Sequence, residues 1–204
     1  MTDYRWKVTE KEQALPKAPP PILTELQAGW LWIAATTIGL VMGMVFYTLT
    51  GGELLIGAIM IGLLTGWTQM LILTLQRARV GWLWVLNSLI AFVTWSMAVP
   101  VFGSINLLAG FALGVLLGFL QWLNLRRRVE HAARWIVANI AAWTIGLGVY
   151  VPVTQLSGTW LIGFAVAGLV AGAIVAVALL RLLRQPVFEL SAAEGTPLKD
   201  DYQS

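Results

Sequence analysis

Four side-chain amides inside otherwise apolar segments are the residues best placed to do chemistry. They are Gln69, Gln121, Asn87 and Asn139. A side-chain amide both donates and accepts hydrogen bonds, so within a membrane it can hold a lipid headgroup, a quinone-like ring or a pigment. The same amides can instead bond to one another, Gln69 to Asn87 and Gln121 to Asn139, as a structural layer. The sequence favours the structural layer and leaves the binding pocket as the alternative.

Other chemistry is poorly supported. The chain has no cysteine, which excludes disulfides, thiolate metal sites and thiol catalysis. Its single histidine, His131, excludes multi-histidine metal sites. The apolar segments contain no Asp, Glu, Lys, Arg or His, although ionisable residues within the membrane normally mark proton relays and active sites. We therefore expect a protein that is not an enzyme and has no metal site, and the sequence indicates no particular cofactor.

The elements that carry the amides are transmembrane helices. Apolar residues make up 58% of the 204 residues and charged residues only 11%, against about 25% charged in soluble domains. A bilayer core requires about 20 apolar residues per helix. Six stretches satisfy this length: 31–49, 54–76, 82–103, 105–125, 135–155 and 160–180. Because they are continuously apolar rather than alternating, a β-barrel is excluded. The predicted fold class is all-α, a polytopic integral membrane protein with six transmembrane helices.

The basic residues predict the orientation. All 13 Lys and Arg lie before span one, after span six, or in the connections between spans two and three and between spans four and five. Positive charge marks the cytoplasmic side, so both termini are expected in the cytoplasm, across a cell inner (cytoplasmic-type) membrane. This placement accounts for the basic charge without nucleic acid. The densest cluster is expected to contact anionic lipid, or alternatively an acidic partner surface: Arg126, Arg127, Arg128 and Arg134.

The tails and the spans divide the chain. Residues 1–27 and 185–204 are polar and contain several prolines, so each is predicted to be a flexible cytoplasmic tail. Residues 28–184 form the transmembrane domain. Within it the sequence repeats with a period of 52–54 residues, in units of about 28–80, 81–133 and 134–184. Each unit crosses the membrane twice, so the predicted arrangement is three parallel-repeat hairpins about an axis along the membrane normal.

Small residues and prolines recur within these units. Glycines at four-residue spacing place small residues on one helix face, which allows close packing in the membrane; a dimerisation face is the alternative. They are Gly39, Gly43, Gly62, Gly66, Gly110, Gly114, Gly118, Gly168 and Gly172. The tripeptide Val-Pro-Val occurs at Pro100 and at Pro152. Both prolines are expected near the outer helix ends with a helix-ending role; a kink that acts as a gating hinge is the alternative.

Eleven tryptophans are many for this length. Six are expected in an aromatic belt at the cytoplasmic interface: Trp30, Trp32, Trp82, Trp84, Trp122 and Trp135. Trp67, Trp95 and Trp143 fall deeper in the spans. For these three, packing or lipid contact is expected, and contact with a flat apolar cofactor is the alternative.

The run from Gly114 through Gly118, Gln121-Trp122-Leu123 and Leu125 to Arg126-Arg127-Arg128 resembles uncharacterised multi-pass proteins of cyanobacteria and green non-sulfur bacteria, whose hairpins end in Gln-Trp-Leu-x-Leu-Arg-Arg. The resemblance covers spans two to five well and span six weakly, and it implies fold and repeat structure only. The expected function is a non-catalytic accessory or scaffold subunit of a larger membrane assembly, with an energy-transducing or photosynthetic complex as a candidate host. Its expected partners are lipids and either other membrane subunits or further copies of itself. The alternative is a binding protein or transporter for a neutral or lipid-like molecule.

Overall fold

Six α-helices make up the part of the molecule that the structure describes. The structure, a computed structural model, describes residues 21–183 except 77, 79, 103, 104, 127, 128 and 130, and within that part it contains no strand. The helices are α1 Glu25–Leu49, α2 Leu54–Leu75, α3 Leu83–Ala98, α4 Leu107–Leu125, α5 Arg134–Ser157 and α6 Trp160–Leu183. All six are long and apolar enough to cross a membrane, α3 together with the turn that follows it. The predicted fold class, an all-α multi-pass membrane protein, is confirmed.

Local sequence signals fix several helix ends. Thr24 and Gln27 form a capping box at the start of α1, in which each side chain bonds the other residue's backbone N–H. The carboxamide oxygen of Asn106 accepts from the backbone of Leu108 and Ala109 and starts α4. Gly158, in the left-handed conformation with φ 70°, ends α5. The first helix thus begins three residues before the predicted start of the transmembrane domain.

The helices form a closed ring in chain order. Each packs against its neighbours in sequence, and α6 packs against α1. The short connections make consecutive helices antiparallel, so α1, α3 and α5 begin at the end of the bundle where α2, α4 and α6 finish. We call this the basic end, since the exposed residues Arg126, Arg134 and Arg181 lie there.

The interior of the ring is filled by side chains of the three odd-numbered helices and their neighbours. Below the basic end, Leu40, Phe92 and Trp143 are buried at one level, eight residues after a buried tryptophan in each helix. The rings of Phe92 and Trp143 meet edge to face at 5.4 Å. Leu113, Leu147 and Phe164 are buried in the half of the bundle away from the basic end.

The two Val-Pro-Val tripeptides adopt different structures. Val99–Phe102, which contains Pro100, is a short 3₁₀ turn after α3, so this proline does end its helix. Pro152 lies inside α5, which continues to Ser157. The expectation that both prolines end a helix is therefore wrong for Pro152. A helix can pass through a proline when packing and local adjustment compensate for the lost backbone bond.

Candidate functional site

Three tryptophans meet at the basic end of the bundle. Trp32, Trp84 and Trp135 come from α1, α3 and α5 and are 0%, 1% and 0% exposed. Their ring centroids lie 6.2 Å apart for Trp32–Trp84, 5.9 Å for Trp32–Trp135 and 5.8 Å for Trp84–Trp135. These helices alternate around the ring, so their side chains can meet only in its interior. The tryptophan triad, as we call these residues, fills the axis of the bundle at this level.

Gln69 on α2 bonds to residues on both neighbouring helices. Its carboxamide oxygen accepts from the Trp84 indole nitrogen at 3.3 Å, and its nitrogen donates to the Thr36 hydroxyl at 3.3 Å. The Thr36 hydroxyl in turn donates to the backbone carbonyl of Trp32 at 2.9 Å. Gln69 is 4% exposed, and its amide is used on both sides.

Gln121 on α4 makes the same two kinds of bond one hairpin further along. It accepts from the Trp135 indole nitrogen at 2.9 Å and donates to the Ser88 hydroxyl at 3.2 Å. Ser88 donates to the backbone carbonyl of Trp84 at 3.0 Å. We call the bonds of Gln69 and Gln121 to their tryptophans the amide bridges. They connect α2 to α3 and α4 to α5 inside the bundle.

At the corresponding place on α6 stands Val175, which is buried and has no amide. The indole nitrogen of Trp32 is buried and has no hydrogen-bond partner among the described residues. A buried donor without a partner costs about 1–3 kcal/mol. The tryptophan triad therefore has two bridged members and one unbridged member.

The predicted pairing of Gln with Asn is wrong. Asn139 donates to the backbone carbonyl of Trp135 on its own helix at 3.0 Å, in the place that Thr36 and Ser88 take on theirs. Asn87 is half-buried and donates to the Leu120 carbonyl on α4 at 2.6 Å. The glutamines bond to indole and hydroxyl groups instead. Sequence reasoning missed Thr36 and Ser88, although each follows a triad tryptophan by four residues, as Asn139 does.

The predicted packing glycines of the even-numbered helices face the next odd-numbered helix around the ring. A Cβ added at Gly62 would lie 2.7 Å from Cα of Leu89, and one at Gly114 would lie 2.6 Å from Cα of Ile140. At Gly168 the distance to Cα of Thr37 would be 2.7 Å. Such distances leave no room for a side chain. The remaining glycines of the predicted set also face neighbouring helices of the same chain: Gly39, Gly43, Gly66, Gly110, Gly118 and Gly172.

The other tryptophans divide between the exposed outside of the bundle and its core. Trp30 and Trp82 are 64% and 66% exposed near the basic end, and Trp122 is partly buried. The three triad residues that are also predicted to lie in the belt are core residues. Trp67 is exposed on the outer wall, as we call the surface of the bundle that faces away from its axis. Trp95 and Trp143 are buried among protein side chains.

Two residues of the arginine cluster, Arg126 and Arg134, belong to the part of the chain that the structure describes. The Arg126 guanidinium sits 5.3 Å from the centroid of the Trp122 ring, within the range of a cation–π contact. Arg134 is exposed at the start of α5. Arg127 and Arg128 lie outside the described residues.

The geometry of these residues is that of a packed, internally bonded layer. Within the described ranges no cluster of His, Cys, Asp or Glu is arranged to hold a metal ion. No family model, curated protein or solved structure matches the chain. The arrangement can stabilise the bundle and close its axis, and both glutamine amides already have protein partners.

Proposed function

We propose that the protein is a non-catalytic integral membrane scaffold, an accessory subunit of a larger membrane assembly. The observation that carries this proposal is the buried layer at the basic end. The tryptophan triad fills the axis of the bundle, and Gln69 and Gln121 are bonded within the protein on both sides. A transport path along the axis or an amide-lined ligand pocket would need these groups to be accessible.

The same layer supports three hairpins derived from one unit. The triad residues Trp32, Trp84 and Trp135 are spaced by 52 and 51 residues. Each is followed four residues later by a side chain that donates to its backbone carbonyl. The close approaches of Gly62, Gly114 and Gly168 to the next helix are equivalent as well. We infer parallel repeats about an axis along the membrane normal, with the basic end and both termini in the cytoplasm, since all 13 Lys and Arg lie on one side of the six spans.

The glycine contacts indicate which surface of the bundle is available to a partner. The predicted glycine faces are used within the chain, so association through them would require opening the ring. The outer wall instead carries large apolar side chains, including the exposed indoles of Trp30, Trp67 and Trp82. Tryptophan is enriched where proteins bind one another. We infer that other membrane subunits, or further copies of the chain, contact this wall.

A host complex that transduces energy or carries out photosynthesis fits the resemblance to cyanobacterial and green non-sulfur bacterial proteins. The test is extraction of the tagged chain from its own membranes in mild detergent, followed by two successive native separations and an absorption spectrum. The proposal expects subunits that remain at a fixed ratio to the 22.3 kDa chain through both separations. A colourless protein that runs alone through both separations contradicts it.

A matched pair of variants tests whether the outer wall contacts the partner subunit. Trp67→Ala changes the exposed wall, whereas Thr74→Ala changes an exposed residue on the same helix that bonds only its own backbone. If Trp67 contacts a partner subunit, Trp67→Ala weakens co-purification and Thr74→Ala does not. Equal co-purification in both variants would remove Trp67 from the interface.

A further inference from the structure

The interface between α3 and α4 contains a groove in the half of the bundle away from the basic end. It is a cavity of about 450 Å³. On the α3 side it is lined by Trp95, Ala98 and Phe102, and on the α4 side by Leu108, Ala112 and Leu116. Phe111 on its rim is about half exposed, so the groove opens on the outer wall toward the lipid.

The groove exists because a tryptophan stands where the other odd-numbered helices have glycine. Gly43 and Gly146 each follow the triad tryptophan of their helix by eleven residues, and Trp95 does the same on α3. A Cβ at Gly43 would lie 2.9 Å from the Gly57 carbonyl oxygen, and one at Gly146 would lie 2.9 Å from that of Ala167. At those two interfaces the helices therefore approach until their backbones are in contact.

The indole of Trp95 prevents the same closure between α3 and α4. It is 3% exposed and donates to the backbone carbonyl of Ala109 on α4 at 2.9 Å. The ring thus stands between the two helices and holds their backbones apart. Below it, the small side chains of Ala98 and Ala112 leave the space open.

The dimensions of the groove select its occupant. Leu108 and Leu116 are separated by eight residues, so the groove is about 12 Å long at 1.5 Å per residue. The hydrocarbon core of a bilayer is about 30 Å thick, so each leaflet contributes about 15 Å. The groove is therefore confined to the depth of one leaflet, as an acyl chain is, whereas a transmembrane partner helix would pack along the whole span. Its apolar lining and its length suit a hydrocarbon chain.

We propose that this groove binds one acyl chain of a membrane phospholipid, from the leaflet at the end of the bundle away from the arginines. The apolar lining residues give the chain hydrocarbon-like walls, and the opening on the outer wall lets it enter sideways from the bilayer. The proposal does not depend on the scaffold function, and its test uses the purified chain alone.

The test is photolabelling in nanodiscs made with phosphatidylcholine that carries a diazirine in its acyl chain. After irradiation, labelled residues are mapped by peptide mass spectrometry. The proposal expects at least threefold more label on Ala98, Phe102 and Ala112 than on the exposed α6 residues Leu169 and Val177. Label spread evenly over the outer wall would overturn it.

A filled groove provides the decisive comparison. Ala112→Trp should reduce the label on α3 at least threefold and leave the label on α6 unchanged. Ala173→Trp, at an exposed alanine of α6, is the matched control and should leave groove labelling as in the parent chain. If Ala112→Trp does not fold, Ala98→Phe fills the groove from the other helix. Unchanged α3 labelling in a folded, filled variant overturns the proposal.

Lipid retention gives an independent readout. Native mass spectrometry of the detergent-purified protein should find one phospholipid retained by the parent chain and by Ala173→Trp. The filled variant should retain none. Equal retention in all three proteins would show that the bound lipid lies elsewhere and overturn the assignment.

Discussion

The indole nitrogen of Trp135 donates to the carboxamide oxygen of Gln121 across 2.9 Å, with both side chains almost completely buried. The residues belong to neighbouring antiparallel helices, and the other half of the same amide binds Ser88 on a third helix. One glutamine thus joins three helices at the level where the tryptophan triad fills the axis.

Replacing Gln121 by Leu should destabilise the bundle. Side-chain hydrogen bonds in membrane proteins average about 0.6 kcal/mol, but this change also strands the buried donor of Trp135, which adds a desolvation cost of about 1–3 kcal/mol. We expect a loss of about 1.5–3.5 kcal/mol in the free energy of unfolding, measured by denaturation in mixed micelles. Gln155→Leu, at an exposed position of α5, should change it little. A loss below 0.5 kcal/mol for Gln121→Leu would mean the bridge is weak.

Replacing Val175 by Gln should supply the missing third bridge. Val175 follows Gly172 by three residues, as Gln69 follows Gly66 and Gln121 follows Gly118. The new amide can therefore reach the unpartnered nitrogen of Trp32. We expect a gain of about 0.5–1.5 kcal/mol in unfolding free energy.

The gain should depend on the Trp32 indole nitrogen. In a Trp32→Phe background, Val175→Gln should bring no stabilisation, because phenylalanine has no donor. A double-mutant cycle measures this coupling. Equal effects of Val175→Gln in both backgrounds would show that the amide does not bond to Trp32.

Adding a methyl group at Gly114 should force α4 away from α5. A Cβ there would lie 2.6 Å from both the Asn139 carbonyl oxygen and Cα of Ile140, and backbone atoms cannot move aside as a side chain can. Gly114→Ala should cost about 1–3 kcal/mol, the range for overpacking. Gly81→Ala, where a Cβ meets nothing within 4 Å, is the control for thermal unfolding in detergent. Equal melting temperatures would argue against close packing at Gly114.

Removing one member of the tryptophan triad should be far more damaging than removing a neighbouring surface tryptophan. Trp84→Ala leaves a cavity beside Trp32 and Trp135 and removes the donor to the Gln69 carboxamide oxygen. Losses of about 3–5 kcal/mol are usual for such truncations. Trp82→Ala removes a side chain that is 66% exposed and should change stability little. Near-ultraviolet circular dichroism should lose intensity only for Trp84→Ala, and a similar loss for Trp82→Ala would contradict a triad-specific signal.

The spans were predictable from the sequence because length and hydropathy alone define them. The ring order was not, because these helices are apolar on every side and a uniform surface does not indicate which face is inward. The same limit explains the error for Trp32, Trp84 and Trp135. Their position near the span ends suggested an interface, and only the packing shows that they point to the axis.

The amide pairing failed at Asn139 because Gln121 bonds to Trp135 and Ser88 instead, and it failed at Asn87 through an error of one residue. Aligning the hairpins on Pro100 and Pro152 equates Asn87 with Asn139, whereas aligning them on Trp84 and Trp135 equates Ser88 with Asn139. One residue rotates a side chain by about 100° around a helix. Asn87 therefore bonds to the α4 backbone, and Ser88 faces Gln121. The tryptophans were the better reference because their side chains define the interior.

Because α6 packs against α1, the first and last helices are neighbours. The start of α1 and the end of α6 both lie at the basic end of the bundle. Residues 25 and 183 could therefore be joined by a short linker and the chain reopened between any two hairpins. A circularly permuted protein that starts at α3 and finishes at α2 would keep every helix neighbour. In the native order, α1 can pack against α6 only after the last hairpin has been synthesised. The final step of assembly is therefore closure of the ring.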